Sequence, residues 1–176
     1  MKLVLDIETQ NSFKDIGGKA NLSLLKISLV GAYWYPENKF LTFMEQELAG
    51  LEELIKKSEL VIGYNLLGFD YPVLANYLKN TNFNNVKTLD ILNVAENYLG
   101  YKIKLENVAQ GTLGTGKSGT GLDAIQMWRS GQIEELKKYC LKDVEVTKNV
   151  YEYGLQNKHI KFKSSWDTYE IPVDWH

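Results

Sequence analysis

The chain has 176 residues, of which 44% are hydrophobic and 24% charged, and its formal net charge is −2. This length fits one ordinary domain with a substantial core, and the composition is typical of globular proteins. The charge excludes a global basic field for attracting nucleic acid, although a bound metal ion can supply positive charge locally. The single cysteine, Cys140, excludes an internal disulfide and a thiolate cluster. Because no apolar run is long enough to span a bilayer and the N-terminus enters a strand at once, we expect a cytoplasmic protein without membrane contact.

The first apolar run, residues 3–9, predicts the strand around which the chain is organised. Its alternation places Asp6 and Glu8 on one face together with Val4. This pattern indicates a central strand that is apolar on both sides and ends in two neighbouring carboxylates. Two carboxylates this close repel each other and lose hydration, and a divalent cation relieves both costs. The alternative is a strand end that simply emerges into water.

The elements that follow predict an α/β protein. Strand patterns cover residues 3–9, 26–35, 39–44, 60–64 and 85–89. Helical patterns cover residues 48–57, the later part of 66–79, 90–99, 105–110, 122–129 and 132–153. Since the first strands form a hairpin and the later ones alternate with helices, we expect a mixed sheet, antiparallel first and then parallel, flanked by helices.

The C-terminal residues change character. A glycine-rich loop is predicted over residues 111–121, and the pattern alternates again over 159–164 and 171–175. We therefore expect one domain over residues 1–155 and an arm over 156–176 that packs on it as a short hairpin.

Two further aspartates follow short strands. Asp70 comes after a glycine loop and two residues before Pro72, which suits a helix N-cap as well as a ligand. Asp90 stands where a strand ends and a helix begins, and we interpret it as an N-cap.

The long C-terminal helix offers a tyrosine and an aspartate on one face. Tyr139 and Asp143 are four residues apart, beside the apolar stripe of that helix. In isolation, the ordinary interpretation would be a packed tyrosine and a solvated aspartate.

Taken together, three ordered motifs resemble the DEDD superfamily of 3′–5′ exonucleases, which share the ribonuclease H-like fold. They are Asp6-Ile7-Glu8-Thr9, Asn65-Leu66-Leu67-Gly68-Phe69-Asp70 and Tyr139-Cys140-Leu141-Lys142-Asp143. The last has the spacing of the tyrosine-bearing (DEDDy) branch. The resemblance covers roughly residues 1–153 and does not account for the C-terminal arm. The segment from Leu105 through Asp143, which includes Trp128, is similar to a bacterial, archaeal and viral group of stand-alone or helicase-associated exonuclease-like proteins.

The resemblance implies a two-metal phosphodiesterase that uses Mg²⁺ or Mn²⁺. Two such ions about 4 Å apart hold both the attacking and the leaving oxygen of an in-line displacement. In the family pattern Asp6 bridges both ions, while Glu8 and Asp143 complete the site that activates water. Asp70 serves the other ion, directly or through water. The Tyr139 hydroxyl orients or deprotonates the attacking water.

The implied substrate is the 3′ end of single-stranded DNA or RNA, released as nucleoside 5′-monophosphates. From their places in or beside the motifs, Thr9, Asn65 and Phe69 are expected to contact it, as is Lys117 in the glycine-rich loop. A helicase or polymerase is a possible partner.

One motif points elsewhere. Residues 111–118 match the Walker A pattern letter for letter, but that motif needs a preceding strand and a helix that begins at the lysine. The pattern here predicts neither, and no Walker B strand follows. We expect a connector whose glycine amides and Lys117 can touch phosphate. The competing functions are therefore a catalytically weak nucleic-acid-binding module of the same fold and, less favoured, a P-loop nucleotide hydrolase.

Overall fold

The computed structural model describes residues 1–116 and 119–175. The strands are β1 (Lys2–Thr9), β2 (Ile27–Trp34), β3 (Lys39–Met44), β4 (Leu60–Gly63), β5 (Thr88–Asp90), β6 (His159–Lys163) and β7 (Thr168–Pro172). The α-helices are α1 (Leu48–Lys57), α2 (Tyr71–Leu74), α3 (Ile91–Leu99), α4 (Leu105–Leu113), α5 (Gly121–Arg129) and α6 (Ile133–Asn157). A π-helical turn covers Leu66–Asp70, and 3₁₀ turns cover Lys19–Leu24, Tyr35–Glu37, Glu45–Glu47 and Phe83–Asn85. In these described parts, no helix is both long and apolar enough to cross a membrane.

The predicted mixed sheet is confirmed. Five strands lie in the order β3-β2-β1-β4-β5. Pairing is antiparallel from β1 to β2 and from β2 to β3, and parallel from β1 to β4 and from β4 to β5. β1 is central, which explains why its apolar residues are buried on both faces.

Helices cover both faces of this sheet. Leu3, Leu5 and Ile7 of β1 belong to one apolar cluster with α1 and α2. Val4 faces the other way, into a cluster with α3, α4, α6 and the C-terminal hairpin. Asp6 and Glu8 share the face of Val4, so the two carboxylates lie on the side of the sheet that carries α6.

The C-terminal strands β6 and β7 form an antiparallel hairpin. The Thr112 hydroxyl donates a hydrogen bond to the Lys161 carbonyl (2.6 Å) and accepts one from the Lys161 amide (2.8 Å). Nearer the start of α4, Asn107 Nδ2 donates to the Lys163 carbonyl (2.9 Å). Strand β6 therefore runs antiparallel to α4, towards the N-terminus of that helix.

The predicted glycine-rich loop begins three residues too early. Helix α4 continues through Gly111 to Leu113. Gly111 lies directly against the hairpin, where a Cβ would stand 2.6 Å from the Phe162 Cα. Only a glycine lets the helix and strand backbones approach so closely. In the described residues up to Gly116, a helix and not a strand therefore precedes the Walker-like glycines. Lys117 lies outside the residues that the structure describes.

Two predicted boundaries between residues 66 and 90 also differ. The predicted helix is reduced to a π-helical turn and the short α2, and the backbone then continues in turns such as Tyr77 N–H to Leu74 O (2.9 Å). The strand predicted at 85–89 begins only at Thr88, because Phe83 stacks on Tyr71 with ring centroids 4.5 Å apart and holds the preceding residues in a 3₁₀ turn.

We predict that Gly111→Ala destabilises the protein by about 1–3 kcal/mol, the usual range for overpacking. The reason is that neither backbone at this contact can move without separating α4 from β6. The matched control is Gly116→Ala, since a Cβ at Gly116 meets no described atom within 4 Å beyond its chain neighbours. Its free energy of unfolding should change by less than about 0.5 kcal/mol. Denaturant unfolding measures both, and equal effects would contradict the packing role of Gly111.

Candidate active-site cleft

The C-terminal half of β1 extends beyond its parallel neighbour. Strand β4 pairs with β1 only as far as Val4. The Ile7 amide, one residue beyond Asp6, donates instead to Asp70 Oδ1 at 3.2 Å. Asp70 thus takes the place of a strand partner at the point where the sheet opens. It does not cap the following helix with its side chain, so the N-cap interpretation of Asp70 is wrong.

Helix α6 brings its polar residues to the same place. Asp6 pairs with Gly31 of β2 in the sheet register. A Cβ on Gly31 would lie 2.8 Å from Cys140 Sγ, so α6 lies against the sheet where β2 has no side chain. One turn of helix around Cys140 carries Tyr139 and Asp143, which are only 6% exposed.

These side chains border an open cleft. We call the cavity that Glu8 and Tyr139 line the main cavity, and its volume is about 340 Å³. Its polar lining includes Asp6, Glu8, Thr9, Tyr139 and Asp143. A second cavity of about 400 Å³ shares Asp6 and Asp143 and extends towards the N-terminus of α4. The structure therefore brings four of the five predicted catalytic residues to one cleft, with Asp70 buried beside the strand that carries two of them.

Cys140 lies among the carboxylates. Ligand atoms of Asp6, Glu8 and Cys140 all lie within 4.8 Å of one another. The Cys140 thiol is directed at Asp6, 3.7 Å from its carbonyl oxygen and 4.0 Å from Oδ2. Burial and the negative charges of Asp6 and Glu8 raise the pKa of the thiol well above its usual range. The thiol stays protonated, which leaves the oxygens as the donors, and hard divalent cations prefer oxygen ligands.

Asp70 and Asp90 are both buried but have different hydrogen-bond partners. Burial, and then the charge of Asp90, raises the pKa of Asp70 to about 8. Asp90 accepts from the backbone amides of Asn65 (2.8 Å), Leu67 (3.0 Å) and Leu92 (3.1 Å). The bond from Leu92 belongs to the cap of α3, which confirms Asp90 as an N-cap.

The Tyr139 side chain faces the acidic residues. Burial and the charges of Asp143 and Glu8 raise the pKa of its hydroxyl. Gly119 approaches the ring closely, because a Cβ there would be 3.0 Å from Tyr139 Cε2. Without a cation, the hydroxyl is therefore a protonated hydrogen-bond donor at neutral pH.

Comparison with known proteins agrees with this architecture. The matching family model is RNase_H_2, described as RNase_H superfamily, and it covers residues 3–154. The chain belongs to the RNase H superfamily. The fold is also similar to that of the family B DNA polymerase from the hyperthermophilic archaeon Pyrobaculum calidifontis, with a TM-score of 0.67 and 16% identity over 88% of this chain. The chain spans only 24% of that polymerase. A comparison with curated proteins gives no match.

Within this RNase H-like cleft, the predicted substrate contacts occupy different positions. Thr9 lines the main cavity, with its hydroxyl donating to the Asn11 carbonyl (2.9 Å). Phe69 lines it too, and Asn65 lines the second cavity. Lys117 lies outside the described residues.

The apolar lining of the main cavity did not follow from the sequence motifs. Phe13 lies in the loop after β1 and packs edge-on against Phe69, with ring centroids 5.8 Å apart. Leu122 and Ile125 of α5 also line the cavity. The available signal was Phe13 itself, a large aromatic residue in an otherwise polar loop. Neither the cysteine count nor the motif around Cys140 predicted that its thiol lies among the carboxylates.

The contact between Gly31 and Cys140 gives a double-mutant test. Gly31→Ala should destabilise the protein by about 1–3 kcal/mol, because the new methyl group overlaps the Cys140 sulfur. Cys140→Ala removes that sulfur, so the double variant should be more stable than Gly31→Ala alone, with Val144 giving way by a few tenths of an ångström. Denaturant unfolding of all four proteins measures the coupling. Additive losses would show that this contact does not set the position of α6.

The raised pKa of Asp70 predicts a pH dependence of stability in metal-free protein. Between the ordinary aspartate pKa of 3.8 and the folded pKa of about 8, the native state holds a proton that the unfolded state releases. The stabilisation is therefore complete at low pH and is lost as the pH rises through about 8.

Asp70→Asn keeps the acceptor for the Ile7 amide but cannot titrate. With EDTA present, the wild type should lose stability relative to this variant from pH 5 to pH 8, by at most about 1.4 kcal/mol per pH unit. Denaturant unfolding at several pH values measures the difference. Parallel profiles would contradict the assignment.

Proposed function

We propose that this protein is a metal-dependent 3′–5′ exonuclease of the tyrosine-bearing DEDD branch, acting on single-stranded DNA or RNA. The observation that carries the proposal is the convergence of Asp6 and Glu8 from β1 with Tyr139 and Asp143 from α6 on one open cleft. Asp70 lies beside β1 and accepts a hydrogen bond from the Ile7 amide. Membership of the RNase H superfamily supports the assignment at the level of the fold.

The donor set fits divalent cations. Asp6, Glu8 and Asp143 offer carboxylate oxygens at the cleft, and Asp70 is the fourth carboxylate of the set. They are hard ligands of the kind that Mg²⁺ and Mn²⁺ prefer. When bound, two such ions lower the pKa of a water molecule and neutralise charge on the phosphate. Crowded acidic residues would otherwise repel a phosphodiester.

The protein's own contribution includes the Tyr139 hydroxyl. It is held on the same helical face as Asp143 and borders the cavity. Because its pKa is raised, it acts first as a hydrogen-bond donor that orients the attacking water. To take a proton from the water, the hydroxyl must first ionise. This would require bound cations to lower its pKa.

The cleft suits the end of a single strand. Its volume of about 340 Å³ is at the small-ligand end of the usual range, which fits a terminal nucleotide. Phe13 and Phe69 supply aromatic surface on which a base can stack. Thr9 lies beside them and offers a polar oxygen. A polymerase or helicase partner belongs to the same proposal, in keeping with the similarity to part of a DNA polymerase.

The P-loop alternative loses support from the structure. The first glycine of the Walker-like stretch, Gly111, lies inside α4 and packs on the Phe162 backbone. A P-loop needs that glycine to open a phosphate-binding loop after a strand. The second candidate function is a nucleic-acid-binding module without catalysis, and a cleavage assay distinguishes it from an exonuclease.

The assay uses 5′-labelled single strands, DNA and RNA in parallel, with Mn²⁺ or Mg²⁺. We expect a ladder that shortens from the 3′ end, and no products with EDTA. Asp6→Ala and Asp143→Ala should abolish cleavage while the proteins remain folded. Thermal melts should show a Mn²⁺-induced stabilisation of the wild type that is much smaller in both variants. Strand binding without cleavage would favour the binding module.

Tyr139→Phe tests the tyrosine-bearing branch within the same assay. It removes the hydroxyl and keeps the ring, so the single-turnover rate should fall roughly tenfold to a thousandfold, within or just below the range for a positioned acid–base group. Binding of metal and strand should hardly change. A wild-type rate under conditions where chemistry limits would assign Tyr139 to packing alone.

A further inference from the structure

The tip of the C-terminal hairpin exposes a tryptophan. Trp166 is 94% exposed, more than any other large apolar side chain in the described part of the chain. The turn that carries it is well bonded. Ser164 Oγ accepts from the amides of Trp166 (3.2 Å) and Asp167 (3.1 Å), and the Ser164 amide donates to the Asp167 carbonyl (2.8 Å). The indole is thus presented to solvent by an ordered turn.

The hairpin tip follows the end of β6 that lies beside the N-terminal part of α4. Strand β6 runs along α4 towards the N-terminus of that helix, where Asn107 bonds to the Lys163 carbonyl. The residues just before Asn107, which include Lys104 and Leu105, line the second cavity together with Asp6. The end of β6 therefore lies beside the first turn of α4, close in sequence to residues that line the second cavity.

The charges around this end of β6 suit a polyanion. Lys104 and Lys163 are exposed on either side of the Asn107 contact. The nearby acidic groups are Glu106, which also lines the second cavity, Glu170, which pairs with Lys161 (3.1 Å), and Asp167, whose carboxylate accepts from the Thr168 amide (2.7 Å). Lysines beside an exposed aromatic ring form the usual pattern of single-strand binding, in which bases stack and phosphates meet positive charge.

We propose that the hairpin tip binds the single strand where it leaves the cleft, with Trp166 stacked on a base and Lys163 beside a phosphate. This inference rests on the proposed function, because it takes the occupant of the cleft to be a nucleic-acid strand. The hairpin then determines the length of strand that the protein holds. It contributes affinity for long strands and none for short ones.

The test compares binding of short and long strands. Labelled oligothymidylate and oligouridylate of about 4 and about 16 nucleotides, the limits of single-strand site sizes, are titrated with Ca²⁺ present and strand integrity checked on gels. Trp166→Ala should weaken binding of the long strand roughly fivefold to a hundredfold. It should leave the short strand unaffected, and Trp166→Phe should retain part of the affinity. Lys163→Ala should reduce the salt dependence of long-strand binding.

The matched control is Tyr98→Ala, which removes another exposed aromatic ring (58% exposed) near the end of α3. It should leave both affinities unchanged. Equal long-strand affinities of wild type and Trp166→Ala would overturn the proposal, as would an equal loss in Tyr98→Ala. A wild-type dimer that Trp166→Ala converts to monomer in sedimentation would assign the tip to a second copy of the chain instead.

The two proposals fail separately. If Trp166→Ala degrades the short strand at the wild-type rate and binds the long strand normally, the exonuclease proposal stands and the hairpin inference falls. If the wild type cleaves nothing yet needs Trp166 to bind the long strand, the hairpin inference stands and the catalytic proposal falls.

Discussion

The close approach of α6 to the sheet at Gly31 is the contact on which the rest of the cleft depends. Gly31 is the register partner of Asp6, and its missing side chain leaves the space that Cys140 fills. Because aspartate and tyrosine side chains reach only a few ångströms, Asp143 and Tyr139 can face β1 only if the helix lies this near. A larger residue at position 31 would lift the helix and widen the cleft, since packed interiors do not absorb extra volume easily.

A second constraint is the cost of gathering carboxylates at the end of one strand. The structure handles two buried aspartates differently. Asp90 accepts hydrogen bonds from the backbone amides of Asn65, Leu67 and Leu92. Asp70 is more deeply buried, accepts from the Ile7 amide and has a raised pKa. In the proposed metal site, a cation bound nearby would favour the ionised form of Asp70.

The glycine-rich stretch shows how the same residues can serve packing instead of nucleotide binding. Gly111 permits α4 to lie against β6, and Gly119 permits the chain to pass close to the Tyr139 ring. Both contacts organise the cleft without making a phosphate-binding loop after a strand. The contact at Gly111 also holds β6 along α4, and the turn after β6 carries Trp166. The glycine-rich stretch thus contains two close backbone approaches, of which only that at Gly111 falls in the Walker-like motif.

The sequence alone determined the central strand, the mixed sheet and the shared helical face of Tyr139 and Asp143, because these follow from periods of two and 3.6 residues. The ordered carboxylate motifs also predicted which residues to seek at the cleft. Only the tertiary structure decided the hydrogen bond of Asp70 to Ile7, the packing of Cys140 on Gly31 and the packing of Phe13 on Phe69. Each of these contacts joins residues far apart in the chain. Local patterns carry no information about such pairs, since they arise only when the sheet register and the helix positions are set together.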